Sequence, residues 1–230
     1  MKPISAATMT QFLAPTSLCD SDKAEVRDKA RRLAGDSRDP TQAALAIFYF
    51  VRDEIRFGLN YPDAKASETL DRGTGFCMTK TNLQMALLRA AGVPSRCHLV
   101  QLPKQVNQAI SPKLFFDRLP DLIVHPFCEC YLGEGWIACD SVLDDAFYRG
   151  LIRSGHMTEA DEPSIEWDGK ADRIFGRRLV KADLGTFATW DEGLVEAQKR
   201  GGVPPRNRLL GPIVFAMANR RIRGIRMSAG

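Results

Sequence analysis

Cys77 stands in the stretch DRGTGFCMTKTNLQMALLRAAGVPSR, between a glycine-rich turn and a run with helical spacing. A thiol in the first turn of a helix feels the positive end of the helix dipole, which favours the thiolate. Glycines just before it let a substrate approach the backbone closely. A nucleophile placed there needs a base within hydrogen-bond reach, and the base needs a partner that orients it. His125 and Asp140, both in VHPFCECYLGEGWIACD, are the candidates for those two roles. Asp140 would then fix the ring tautomer and stabilise the imidazolium beside a thiolate. Taken singly, each residue has an ordinary structural reading: a helix-start cysteine, a satisfied strand histidine and a turn-forming aspartate. Their order and contexts together favour the chemical one.

Whether the histidine and the aspartate meet depends on the strands that carry them. The two apolar runs around GEG read as a β-hairpin. With Gly133 and Glu134 as a glycine-first two-residue turn, Leu132 faces Gly135 and Phe127 faces Asp140. His125, Phe127 and Glu129 then share a face with Asp140, and His125 lies diagonally across from it. A three-residue turn would put His125 and Asp140 on opposite faces. The same register sends Cys128, Cys130 and Cys139 to the other face with Leu132 and Ile137. Three neighbouring thiols invite a metal reading. Without CxxC spacing or an evident fourth ligand, they are read as small buried hydrophobes and no metal is assigned.

The nucleophile helix is expected to run from Cys77 through Leu83 and Leu87 to Arg89, stopped by Gly92, Val93 and Pro94. Upstream, Asp22 with Glu25 is a capping signal for a helix through Val26, Ala30 and Leu33 to Gly35. Asp39, Pro40 and Gln42 start a second helix whose stripe Ala44, Ile47, Phe48, Val51, Ile55 runs to Gly58. ASETLD makes a further helical turn or two. RCHLVQL reads as a strand, and residues 103–123 as a long, substrate-facing excursion with a helical turn in it.

Composition narrows the classes. The chain has 230 residues, 44% apolar and 26% charged, enough for a single domain with a core at about 40–150 and an extension from 151 to 230. The opening MKPISAATMTQFLAP has no apolar stretch long enough for a signal-peptide core, and no segment approaches the length of a membrane span. Six cysteines are too few for a small disulfide scaffold and fit a reducing, cytoplasmic setting. A net charge of +4 is too mild to suggest a nucleic-acid partner.

The C-terminal third is less legible. HMTEADEPSIEWDGKADRIFG reads as a surface loop with His156 a solvated bystander, and Thr189 to Glu192 caps a helix through about Lys199 that ends at GGVPP. Residues 200–230 carry seven arginines and no acid. IVFAMANRRIRGIR is expected as an amphipathic helix packing Ile213, Met217 and Val214 on the core, with its arginines in water. The functional alternative is an anion-attracting tail for a phosphate-bearing arm, a carrier protein or an acidic peptide. A membrane-surface role has no lipid anchor to support it.

The two motif blocks also carry a resemblance. GFCMTKTNLQMALLRAAGVPSR is similar to the glycine-x-cysteine turn and helix of the transglutaminase-like superfamily, relatives of the papain-like cysteine peptidases. HPFCECYLGEGWIACD resembles that family's second block: a histidine, an aromatic two residues on, a glutamate, then GW and an aspartate. VRDEIRF resembles its lead-in helix. The resemblance implies an α+β fold, a nucleophile helix packed on an antiparallel sheet, with Cys77 as nucleophile, His125 as base and Asp140 as orienting acid. It implies cofactor-free attack on an amide or ester-like carbonyl of a peptide or protein, resolved by water or an amine, with transfer of a carrier-borne thioester acyl group to an amine or a carbon nucleophile as the alternative. It also leaves room for a silent binding module on the same fold. Phe127 replaces a frequent tryptophan, and Phe57 a frequent tyrosine, so a hydroxyl is missing there. The Cys77 N–H can be one oxyanion donor. Asn60 or Tyr61 is the candidate for the second, against a plain turn at LNYP.

Overall fold

A computed structural model describes residues 9–37, 39–201 and 211–228. Helix α1, Ala24–Ala34, buries Val26 and Ala30 and is closed by Gly35 at φ 58°. The expected cap at Asp22 is not the one used: Lys23 is the residue before the first helical turn, and its side chain makes no cap bond. Asp22 stands one residue too far out for its carboxylate to serve as the cap. In α2, Pro40–Asp53, the Asp39 carboxylate accepts from the Thr41 N–H at 2.8 Å, as the sequence leads one to expect.

The apolar stripe running on to Ile55 and Gly58 overstates that helix. The chain leaves it after Asp53, and Arg56–Phe57 (β1) pair in parallel with Thr74–Gly75 (β2). Tertiary contacts compensate. The Lys80 amine, fully buried, donates to the carbonyls of Arg52 at 3.1 Å and Ile55 at 2.8 Å. Burial lowers its pKa to about 7 despite the carboxylates of Asp144 and Asp140 nearby. Above that pH the amine is neutral and offers both of its N–H bonds to the two carbonyls.

Helix α3, Ala66–Arg72, leads into β2, and α4, Cys77–Ala90, follows at once. Helix α4 is the centre of the molecule. Leu83, Met85, Leu87 and Leu88 are fully buried, in one cluster with Ile47 and Phe48 of α2 and Val26 of α1. It ends where the sequence said, with Gly92 at φ 80° in the left-handed region that glycine tolerates.

The main sheet is antiparallel, in the order β5-β4-β3-β6, with β3 at Ser95–Pro103, β4 at Leu122–Leu132, β5 at Gly135–Ala138 and β6 at Ala182–Phe187. The hairpin has the anticipated register: Leu132 faces Gly135, Tyr131 faces Trp136 and Glu129 faces Ala138. Gly133 adopts φ 60°, as a glycine-first primed turn demands. Cys128, Cys130, Cys139 and Leu132 join the α4 core, while Phe127 and Ala138 pack with Val100, Leu102 and Ile123 in another cluster. The Cys139 thiol donates to the Cys128 carbonyl at 3.4 Å, and burial pushes both thiols up.

Strand β6 was not foreseen. Its sequence ADLGTF lacks a strand-like pattern, and its pairing on β3 shifts register between Leu99 and Val100. Residues 103–123 hold a 3₁₀ turn, Lys104–Asn107, and a short helix α5, Lys113–Phe116. Helix α6, Asp145–Arg153, is also new; the Asp144 carboxylate caps it by accepting from the Phe147 N–H at 2.9 Å. Helix α7, Trp190–Lys199, carries the expected capping box between Thr189 and Glu192.

Two expectations for the C-terminal third are corrected. The segment 156–176 is not simply a surface loop: Glu162, Ile165, Trp167 and Arg173 are buried, although His156 is exposed. In α8, Gly211–Met227, the inward face is Ala218, Ile222 and Ile225, whereas Ile213 and Met217 are 57% and 46% exposed. Periodicity gives the spacing of an apolar stripe but not which of two overlapping stripes meets the core. Arg226 is no solvated arginine either, since its guanidinium pairs with Asp144 at 2.6 Å. Arg220, Arg221 and Arg223 are exposed, and Arg206 and Arg208, the prolines after α7 and residues 1–8 lie outside the described residues. Among the described residues, no helix is long and apolar enough to cross a membrane.

Candidate active site

Gly75 opens the site because nothing larger fits there. A side-chain carbon on it would come within 2.8 Å of the Thr79 hydroxyl and 3.2 Å of the Thr69 methyl. Its carbonyl accepts from the Gly58 N–H at 2.8 Å, which ties β2 to the chain leading toward Asn60. Phe76 is the N-cap of α4, and its N–H donates to the Thr79 hydroxyl at 3.1 Å. Cys77 is therefore the first residue of the helix, half-buried on the wall of a cavity.

His125 lines the same cavity. The structure brings it to Asp140: His125 Nε2 lies 2.7 Å from Asp140 Oδ2, with both side chains almost fully buried. The carboxylate also accepts from the Phe175 N–H at 3.0 Å and the Val142 N–H at 3.1 Å. Held from three directions, it fixes Nε2 as the proton-bearing nitrogen toward Asp140 and leaves Nδ1 for the thiol. Cys77 and His125 stand on the same cavity wall, near enough for the thiol to weigh on the protonation of the ring.

The electrostatics follow from this placement. Burial alone pushes the His125 ring toward neutrality, but the Asp140 carboxylate, and then Cys77, reverse this and raise its pKa to about 10. Burial alone would raise Asp140, and the facing imidazolium, helped by Arg173, holds it below the usual carboxylate range instead. The arrangement favours a charged pair over two neutral groups.

Asn60, one of the two residues considered as an oxyanion donor, lines the cavity with Cys77. Its Oδ1 accepts from the Thr79 hydroxyl at 3.1 Å, while its Nδ2 is buried and has no partner among the described residues. The other candidate, Tyr61, is not on the cavity wall; its ring packs edge-on against Phe215 at 5.1 Å. Phe57 stacks on Phe147 at 4.9 Å and also lines the cavity. Phe127 stacks on His98 at 4.8 Å, and its ring centre lies 6.4 Å from that of His125. Among the described residues, no group of three or more His, Cys, Asp or Glu side chains is placed to hold a metal ion.

The model of the transglutaminase-like superfamily matches residues 27–141, half of the chain, from within α1 to just past Asp140. The chain belongs to this superfamily. The transglutaminase-like fold is also seen in a solved structure from Cytophaga hutchinsonii named "putative cysteine protease", with a TM-score of 0.55 and 18% sequence identity. That likeness covers 84% of this chain and 50% of the other, so the chain spans about half the length of that protein. A "putative protease" from Parabacteroides distasonis is 14% identical, with 58% of this chain and 25% of the other covered and a TM-score of 0.38. No curated protein matches the sequence significantly.

Several residues around the site of this transglutaminase-like chain escaped sequence reasoning. Arg173 and Phe175 come from the irregular segment after α6. The Arg173 carbonyl accepts from the Asp140 N–H at 2.9 Å, and the Phe175 ring stands edge-on to His125 at 5.6 Å. Glu162 pairs with Arg173 at 3.3 Å and accepts from the Gly176 N–H at 2.8 Å, which holds that segment behind the carboxylate. No periodic or motif signal marks these positions. For Asp144 a signal did exist: an aspartate followed by a short apolar stripe at helical spacing.

Proposed function

We propose that this chain is a cysteine enzyme of acyl chemistry, with Cys77 as nucleophile, His125 as acid and base, and Asp140 as the residue that positions the ring. The observation that supports this most is the 2.7 Å His125–Asp140 bond, made beside a half-buried thiol at a helix N-terminus. The thiolate attacks a carbonyl carbon, forming a C–S bond, and the carbonyl oxygen takes the negative charge. The Cys77 N–H and the unpartnered Asn60 Nδ2 are the donors for that oxygen. The imidazolium gives its proton to the leaving group, and a thioester remains. In the second step His125 takes a proton from water or an amine, which attacks the thioester and releases the Cys77 sulfur. All six cysteines are unpaired, in keeping with a reducing, cytoplasmic setting. An acidic carrier or peptide arm at Arg220, Arg221 and Arg223 belongs to the same proposal.

Alkylation tests the thiolate directly. At pH 6, iodoacetamide should modify Cys77 at least about tenfold faster than a thiol in an unfolded peptide, followed by intact mass and peptide mapping. Equal rates would leave a binding module as the better reading. Asn60→Ala should lower kcat for a small ester by about 10²-fold with little change in KM, because its donor acts on the oxyanion rather than on the bound ground state. A KM effect alone would return Asn60 to the role of a turn residue.

A further inference from the structure

The cavity beside Cys77 has a composition that the acyl chemistry does not require. It measures about 370 Å³, and among the described residues its wall contains six phenylalanines but no aspartate, glutamate or lysine. Among the described residues, the groups that could serve chemistry, Cys77, His125 and Asn60, are joined there by only one permanently charged side chain, Arg118, which is exposed. Two neutral polar side chains, Asn107 and Ser111, also line it, and the rest is almost entirely aliphatic or aromatic, drawn from several separate parts of the chain. Ile110 and Phe115 come from the excursion between β3 and β4, Val142 and Phe147 from the α6 region, and Phe215 and Ala218 from α8. A peptide in an extended groove needs backbone and side-chain hydrogen-bond partners along its length. An apolar wall of this kind instead rewards burial of hydrocarbon.

We propose that this cavity holds an unbranched apolar acyl chain of about eight to twelve carbons, the room it offers at about 30 Å³ per water-sized group. The chain is presented to Cys77 as an ester or thioester. This rests on Cys77 being the nucleophile, and it adds the class of acyl group transferred. In the acylation step, the Cys77 sulfur forms a bond to the carbonyl carbon, the bond from that carbon to the leaving oxygen or sulfur breaks, and the leaving group departs with the electron pair. The chain beyond the carbonyl lies against the wall that includes Phe57, Phe147, Phe215 and Ala218.

The test is a series of p-nitrophenyl esters from acetate to laurate, read as p-nitrophenolate release and as acyl mass on Cys77, each normalised to the same ester reacting with free cysteine. The normalised rate should rise by up to about fourfold for each methylene buried, until the cavity is full. Ala218→Leu, which adds bulk to the wall, should move the optimum to shorter chains. Phe115→Ala, on a partly exposed edge of the wall, should move it to longer ones, so the result does not hang on one variant. A second measurement uses Cys77→Ala and follows displacement of dansyl-labelled undecanoic acid by decanoate. Acylation with a flat dependence on chain length would overturn the apolar acyl site and leave the nucleophile reading standing. No acylation at any length, with displacement by decanoate, would remove the nucleophile and keep an apolar ligand site. Neither acylation nor displacement would remove both.

Discussion

Exchanging His125 for alanine should slow acylation of Cys77 by about 10³-fold, within the range for loss of a positioned acid and base. The thiol remains at the helix N-terminus, but on the proposed mechanism the group that protonates the leaving group is gone. Asp140→Asn should also be severe, because an asparagine at 2.7 Å from Nε2 can present its N–H and force the opposite tautomer. Single-turnover release of p-nitrophenolate measures both. A fall of less than tenfold in His125→Ala would mean that the ring plays no part in the reaction. The same pair makes stability depend on pH. The folded-state pKa of His125 is raised from 6.5 to about 10, so its contribution is complete below about 6.5 and is lost as pH rises through about 10. Asp140 is held below its ordinary 3.8, so its contribution is present above that value and is lost as pH falls through the lowered one. Urea midpoints across these two windows should therefore fall at both ends in the wild type. In His125→Ala the alkaline fall should flatten.

Asp144→Ala is expected to be the most destabilising single change, at about 3–5 kcal/mol, because it strips the partner from a largely buried arginine. The carboxylate accepts from the Phe57 N–H at 2.7 Å, the Phe147 N–H at 2.9 Å and the Arg226 guanidinium at 2.6 Å. It thus joins β1, α6 and α8 at one point. Burial alone would raise its pKa, but Arg226 and the Phe57 amide hold it low, so its stabilisation is present above the usual carboxylate range and is lost as acid is added. The urea midpoint reads the loss. Asp144→Asn should keep part of the cap at α6 and lose less. If Asp144→Ala unfolds at the wild-type midpoint, the three contacts carry no net stability. Because α8 supplies Phe215 and Ala218 to the cavity, the alanine variant should also lose its preference for long acyl esters more than its reaction with acetate.

The sequence was most informative where the physics is local. A capping aspartate before a proline marked the start of α2, and a glycine before Val93 and Pro94 marked the end of α4. A two-residue glycine turn set the hairpin register, and that register alone was enough to place His125 diagonal to Asp140. Cys77 at the first turn of a helix was legible for the same reason. The stripe of α8 was legible as a stripe, yet the edge that packs inward is the one that brings Arg226 to Asp144 and Asn219 to Leu59, with Ile213 and Met217 outward.

What needed the tertiary structure was everything assembled from separate segments. Lys80 satisfying the carbonyls at the end of α2, Arg173 and Phe175 closing behind Asp140, and Asn60 left with an unpartnered amide are contacts between residues distant in sequence. The cavity is a further case, since its walls come from β1, the excursion before β4, α6 and α8. Sequence alone determined the chemistry available to this chain, because backbone hydrogen bonding and side-chain alternation act over a few residues. The fold decided what that chemistry can reach, because burial and packing depend on which distant segments share the same space.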